Sequence, residues 1–180
     1  MNRLFWGLFF VLLDLKVTLG SAAFGLLPDF FGYFLLMKGM EVLGEENGHF
    51  AKGRHWAFAL VLLNVILYVA DLLDLQTMDR VRVWCVGFAG HGAGIYVLYK
   101  MIAGIRQMEE DRRWDLHSGK LKAMWLIQTV MGTIAYLLGW VPLVGIISGA
   151  ASSVTAVCLL AAMYGTGKRF AQEREKEREL

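Results

Sequence analysis

The sequence predicts an all-α fold, a polytopic transmembrane helical bundle, and three observations carry that prediction. Hydrophobic residues make up 57% of the 180-residue chain and its mean hydropathy is +0.48, too apolar for an ordinary soluble domain. Charged residues, 19% of the total, fall in blocks between long apolar runs. Turn or charged segments divide the apolar sequence into about six such runs, which predicts about six helices paired as three hairpins.

The first helix is expected over residues 4–19, with Trp6 as an interface anchor and Asp14 and Lys16 towards its far end. A bent or half-inserted segment over 4–27 is the alternative for this stretch. The start loosely resembles a secretory signal, with Met1-Asn2-Arg3, an apolar run and then Ser21-Ala22-Ala23. Asp14 and Lys16 interrupt the run where a signal stays apolar, so a retained segment is expected. The second helix is expected over 28–44. Pro28 has the fixed φ that suits a first helical position, and Asp29 meets the positive end of the helix dipole. Lys38 and Glu41 lie near its end, followed by a polar loop over 45–55.

The third helix, 56–75, has the length needed to cross a hydrocarbon core, and a short connector over 76–80 leads to the fourth, 81–105. A loop rich in both charge signs spans 106–122. The fifth helix, 123–140, turns through Val141-Pro142 into the sixth, 143–164. Residues 165–180 alternate Glu, Arg and Lys and read as a solvated helical extension with i,i+4 pairs. The organisation is therefore one transmembrane domain, 1–164, and a charged cytoplasmic tail, 165–180.

Orientation follows from the distribution of the 18 Lys and Arg residues. With the N-terminus in the cytoplasm, only Lys16, Arg80 and Arg82 fall on the outer side and all the others fall inside. Both termini are expected to be cytoplasmic. The net charge of +2 carries no nucleic-acid signal, because the basic residues sit at helix ends. Cys85 and Cys158 lie inside apolar segments and read as unpaired small hydrophobes.

Ionisable and polar residues inside membrane segments are the first candidates for a ligand or ion path, because burying an unpaired charge there costs several kcal/mol. Asp14, Lys16, Asp29, Asp71 and Asp74 gather towards the outer side. Asn64, Tyr68 and Asp71 form one stripe of the third helix, with Asp74 beside it. The competing reading is interface capping and interhelical hydrogen bonding, at about 0.6–2 kcal/mol per bond. His91 lies deepest among the titratable groups, either as a neutral histidine bonded to Asn64, Gln128 or Ser152, or as a proton-relay group. Gly90 and Gly94, like Gly145 and Gly149, have the GxxxG spacing of close helix packing. His49, His55, Glu45 and Glu46 match no metal-ligand spacing, and HExxH, GxSxG, Walker A and CxxC are all missing, so no metal, cofactor or catalytic residue is predicted.

The residues carry a resemblance. Leu4-Phe5-Trp6-Gly7-Leu8, then Leu27-Pro28-Asp29-Phe30-Phe31-Gly32-Tyr33, Gly104-Ile105-Arg106-Gln107-Met108-Glu109, Asp115-Leu116 and Trp125 together resemble small multi-pass membrane proteins of Firmicutes, clostridia especially, with an LPDFxGY signature. The resemblance implies a bacterial plasma membrane and makes Pro28, Asp29, Gly32 and Tyr33 the signature positions. It brings no assigned activity.

Three functions remain in play. The first is a non-enzymatic membrane protein acting through a membrane-protein partner, a second copy of itself or a cytoplasmic partner, with the lipid bilayer as its constant neighbour. The second is a small channel or transporter using the polar residues above. The third is an intramembrane enzyme with paired aspartates.

Overall fold

The computed structural model describes residues 1–12, 16–19, 22–25, 29–44, 47–73, 80–138 and 140–179. The described chain is helical, with six helices: α1 (Asn2–Leu12), α2 (Asp29–Leu43), α3 (Gly48–Leu72), α4 (Arg80–Arg112), α5 (Ser118–Leu138) and α6 (Pro142–Glu179). Three regions are long and apolar enough to cross a membrane: Gly48–Ala70 in α3, all of α5, and α6.

The departure from an all-helical chain lies between α1 and α2. The expected helix over 4–19 ends at Leu12, and β1 (Lys16–Leu19) pairs antiparallel with β2 (Ala22–Gly25), Lys16 opposite Gly25 and Leu19 opposite Ala22. The β-branched pair Val17-Thr18 favours extended backbone over helix. At 11 residues α1 is about 16 Å long, and α2 at 15 residues is about 22 Å. Neither alone crosses a hydrocarbon core of about 30 Å.

The other boundary corrections lengthen helices into segments expected to be loops. α3 starts at Gly48 rather than at 56, because Asn47 Oδ1 accepts the His49 and Phe50 amides (3.2 and 3.3 Å) as an N-cap. α4 runs on to Arg112, α5 begins at Ser118, and the charged loop shrinks to residues 113–117. Arg106, Gln107, Met108, Glu109 and Glu110 are good helix formers, and their charge does not end a helix. α6 is continuous over 38 residues from Pro142 to Glu179, in keeping with the helical extension expected beyond 164.

The chain forms two compact units, Asn2–Val97 and Leu98–Leu180 with Met1. In the first, α1 and α2 run antiparallel along a glycine seam. A Cβ added at Gly7 would stand 2.7 Å from the Leu36 amide nitrogen; one at Gly32 would stand 2.9 Å from that of Val11. A Cβ at Gly39 would meet Leu4 Cδ2 at 2.6 Å. Leu4, Leu8, Leu36, Met40, Phe50 and Ala57 are fully enclosed around this seam. In the second unit the core gathers where α4, α5 and α6 meet the 113–117 turn, around Ile105, Met108, Leu116, Leu121, Leu159 and Met163.

Elsewhere the largest apolar side chains point outwards. Ile66 on α3, Leu126 on α5 and Ile146 and Val154 on α6 are all more than half exposed, and Trp140 is 80% exposed. Apolar surface on this scale needs a non-aqueous neighbour.

The seam makes a prediction. Gly7→Ala drives a methyl into backbone that cannot yield, and is expected to destabilise the protein by about 1–3 kcal/mol. Gly149→Ala, where no atom lies within 4 Å of the added Cβ, is expected to leave the denaturation midpoint in detergent unchanged or raised.

Candidate functional site

Several of the residues singled out in the sequence are packing residues. Gly32 and Tyr33 of the signature serve different neighbours from adjacent positions on α2. Gly32 is held against α1, while the Tyr33 hydroxyl presses on α4 where a Cβ at Gly94 would stand 2.7 Å from it. Gly94 therefore makes room for a tyrosine side chain rather than for a helix backbone. Gly90 is less confined, its added Cβ reaching only Leu63 Cδ2 at 3.8 Å. Gly149 faces open space within the chain, and Gly145 donates its amide to Val141 O (2.8 Å) in the first turn of α6. The tight seam runs instead through Gly7, Gly32 and Gly39.

The polar interior residues are satisfied close to home. Asn64 Nδ2 donates to Leu60 O of its own helix (2.8 Å). Gln128 Nε2 donates to Ser152 Oγ (3.1 Å), and Thr155 Oγ1 donates to Gln128 Oε1, joining α5 to α6. Tyr68 sits edge-on to Phe30 at 6.0 Å and is half-exposed. His91 lies one turn before Gly94 on α4 and is partly buried. Asp29 is the exposed first residue of α2. Lys16 lies in β1 and Asp71 in the last turn of α3; Asp14, Pro28 and Asp74 fall outside the described residues. Among the described residues no group of three or more His, Cys, Asp or Glu is placed to hold a metal.

The most elaborate polar construction lies in the charged segment expected to be a loop. Arg113 and His117 bracket the α4–α5 turn with φ values of 54° and 57°, which is costly for side-chain-bearing residues. Glu109, in the last turns of α4, compensates. Its Oε1 accepts the Leu116 and His117 amides, both at 3.0 Å, and its Oε2 accepts the Ser118 amide at 3.1 Å. One carboxylate thus satisfies three backbone donors where α5 begins and places negative charge at that helix's positive end.

The turn is then clipped to the α6 extension. Thr166 Oγ1 donates to Leu116 O (3.1 Å), and Arg169 Nη1 donates to Asp115 Oδ2 (2.9 Å). Asp115 Oδ1 also lies 2.9 Å from His117 Nδ1. Trp114, 7% exposed, meets the Phe170 ring edge-on at 5.5 Å, and the Arg112 guanidinium covers its other side, 4.9 Å from the ring centroid. Arg112 continues to Glu177 (3.1 Å). On the outer face of α4, Arg106 pairs with Glu110 (2.8 Å), whose hydrogen bond and charge raise the guanidinium pKa above its ordinary value. The sequence did offer a signal: Gly104–Glu109 and Asp115-Leu116 belong to the stretches that carry the resemblance, and Trp114 is a large aromatic inside a charged segment.

No protein-family model, curated protein or solved structure matches the chain.

Two outcomes follow. Glu109→Ala is expected to cost about 1–3 kcal/mol of local stability and to speed tryptic cleavage at Arg113 severalfold, with Glu109→Gln intermediate. Gly94→Ala is expected to destabilise the first unit. Tyr33→Phe, which removes the oxygen that the new methyl would strike, is expected to restore much of the loss when the denaturation midpoints of single and double variants are compared.

Proposed function

We propose that the chain is a multi-pass integral protein of a bacterial plasma membrane, with both termini cytoplasmic. It works without catalysis, as a scaffold presenting the clipped α4–α5 turn and the α6 extension to a protein partner. The observation that carries this reading is the contrast between two sets of polar residues. Asn64, Gln128, Ser152 and Thr155, polar groups at membrane depth, are spent on one another or on their own helix. The cytoplasmic groups form a long-range clip that holds an exposed charged surface rigid.

Aromatic residues support the membrane frame. α5 has Trp125 near its start, and Trp140 follows its end; α4 has Trp84 and Tyr99 at the same separation. Trp84 and Tyr99 are about 22 Å apart along α4, close to the span between the two interfacial belts of a bilayer. The charge bias of the 18 Lys and Arg residues supports the orientation, and the resemblance to the LPDFxGY proteins supports the bacterial setting.

A second reading, a small channel or transporter, draws on the β1–β2 pair. Non-helical backbone at membrane depth is tolerated only when covered by protein or lining water. Since α1 and α2 are too short to cross alone, the strand pair between them is where such a water-filled path would begin.

The experiment is photo-crosslinking in cells from Glu110, Arg113 and Gln172, all exposed on the clipped surface, alongside alkaline extraction and reporter fusions at both ends. Expected are a chain that resists alkaline extraction, cytoplasmic reporters, and one discrete adduct shared by the three positions that is lost with Glu109→Ala. Ion or solute flux through the purified protein in liposomes, without such an adduct, would replace the scaffold by the channel.

A further inference from the structure

The clip consumes charge selectively. Glu110 is taken by Arg106, Asp115 by Arg169, Glu177 by Arg112 and Glu173 by Lys176, while Glu109 is occupied by three amides. Lys120, Lys122 and Lys168 are exposed, and no hydrogen bond or ion pair engages their side chains among the described residues. These are also the cations that border the apolar stretches of the α5–α6 hairpin. Lys120 and Lys122 lie just before the apolar part of α5, and Lys168 lies one turn beyond Tyr164 on α6. The hydrogen bond from Thr166 to Leu116 sets the Lys168 turn level with the start of α5.

The neighbourhood is amphipathic. The Glu109 carboxylate is already spent on the amides where α5 begins, and the first turn of the helix itself contains no acidic residue to pair with Lys120. Trp125 follows Lys122 by one turn, and Tyr164, 64% exposed, precedes Lys168 by one. Aromatic rings of this kind settle at the headgroup layer. A soluble anion would have to be recruited to this level, whereas the anionic lipids of a cytoplasmic leaflet already lie there and attract juxtamembrane lysines.

We propose that Lys120, Lys122 and Lys168, set around the cytoplasmic end of the α5–α6 hairpin, together retain anionic phospholipid through its headgroup phosphate, in preference to zwitterionic lipid. The proposal rests on the membrane reading above and adds lipid selectivity to it.

The test is native mass spectrometry of the full chain in micelles, titrated with phosphatidylglycerol or with phosphatidylcholine. Phosphatidylglycerol is expected to bind about fivefold or more tightly, the effect of one lysine at an anionic surface, with the ratio falling as salt rises. The triple variant K120Q/K122Q/K168Q is expected to bring the ratio near one, and K120R/K122R/K168R to restore it. The control R106Q/K176Q, which removes cations already paired, is expected to keep the wild-type ratio. Equal binding of the two lipids by the wild type, or a triple variant that keeps the preference, overturns the proposal. So does displacement of the lipid by inorganic phosphate, which would make the surface a free-anion site. Should the triple variant not fold, the wild-type ratio and K168Q alone decide. A chain that resists alkaline extraction yet shows no lipid preference defeats this proposal only; a chain released by alkali defeats the membrane reading itself.

Discussion

The carboxylate of Glu109 is the interaction on which the second unit depends. The α4–α5 turn reverses the chain over residues 113–117, with two side-chain-bearing residues in left-handed backbone at its ends. A reversal this tight leaves several amide donors pointing away from any helical acceptor. Glu109 accepts three of them and remains inside α4 while doing so. With the turn rigid, Trp114 is presented to Phe170, Asp115 to Arg169 and the Leu116 carbonyl to Thr166. Without that acceptor the same partners would face an unfixed loop.

The first unit solves its packing problem by other means. α1 and α2 have too few residues to bury much apolar area, so they gain contact by bringing their backbones close. Gly7, Gly32 and Gly39 are the positions that allow it. The signature stretch then looks less like a reactive motif than a joint: Gly32 takes α1 on one side and Tyr33 takes the Gly94 face of α4 on the other. Bulk apolar burial is left to the surroundings, since the outward side chains of α3, α5 and α6 are the large ones.

How much of this was legible in the sequence differs by element. Existence and order of the six helices followed from the apolar runs, because segregation of charge leaves a strong signal. Ends were poorer. Residues 48–55, 106–112 and 118–122 are polar, and polarity suggests loop, whereas the caps at Asn47 and Glu109 and the helix-forming residues decide the matter locally. The stretch 16–19 misleads in the opposite direction: it continues an apolar run that suggests helix, but Val17 and Thr18 carry strand preference. GxxxG spacing pointed to Gly90, Gly94, Gly145 and Gly149 because regular spacing is visible in one dimension. The Gly7–Gly32–Gly39 seam is formed by two helices together and has no such pattern in either alone. The pairing within the clip is hidden for the same reason: its partners stand far apart in the chain, as with Asp115 and Arg169, although the stretches that hold them stand out.

One further consequence belongs to α6. It is a single unbroken helix from Pro142 to Glu179, about 57 Å of continuous hydrogen-bonded rod. A rod transmits rather than absorbs. Any torque applied near Glu173 passes along the rod to the other end, at Pro142, with the Arg169–Asp115 and Thr166–Leu116 bonds acting as its bearing. The charged helical extension that follows the apolar part of α6 is mechanically the outer arm of a lever.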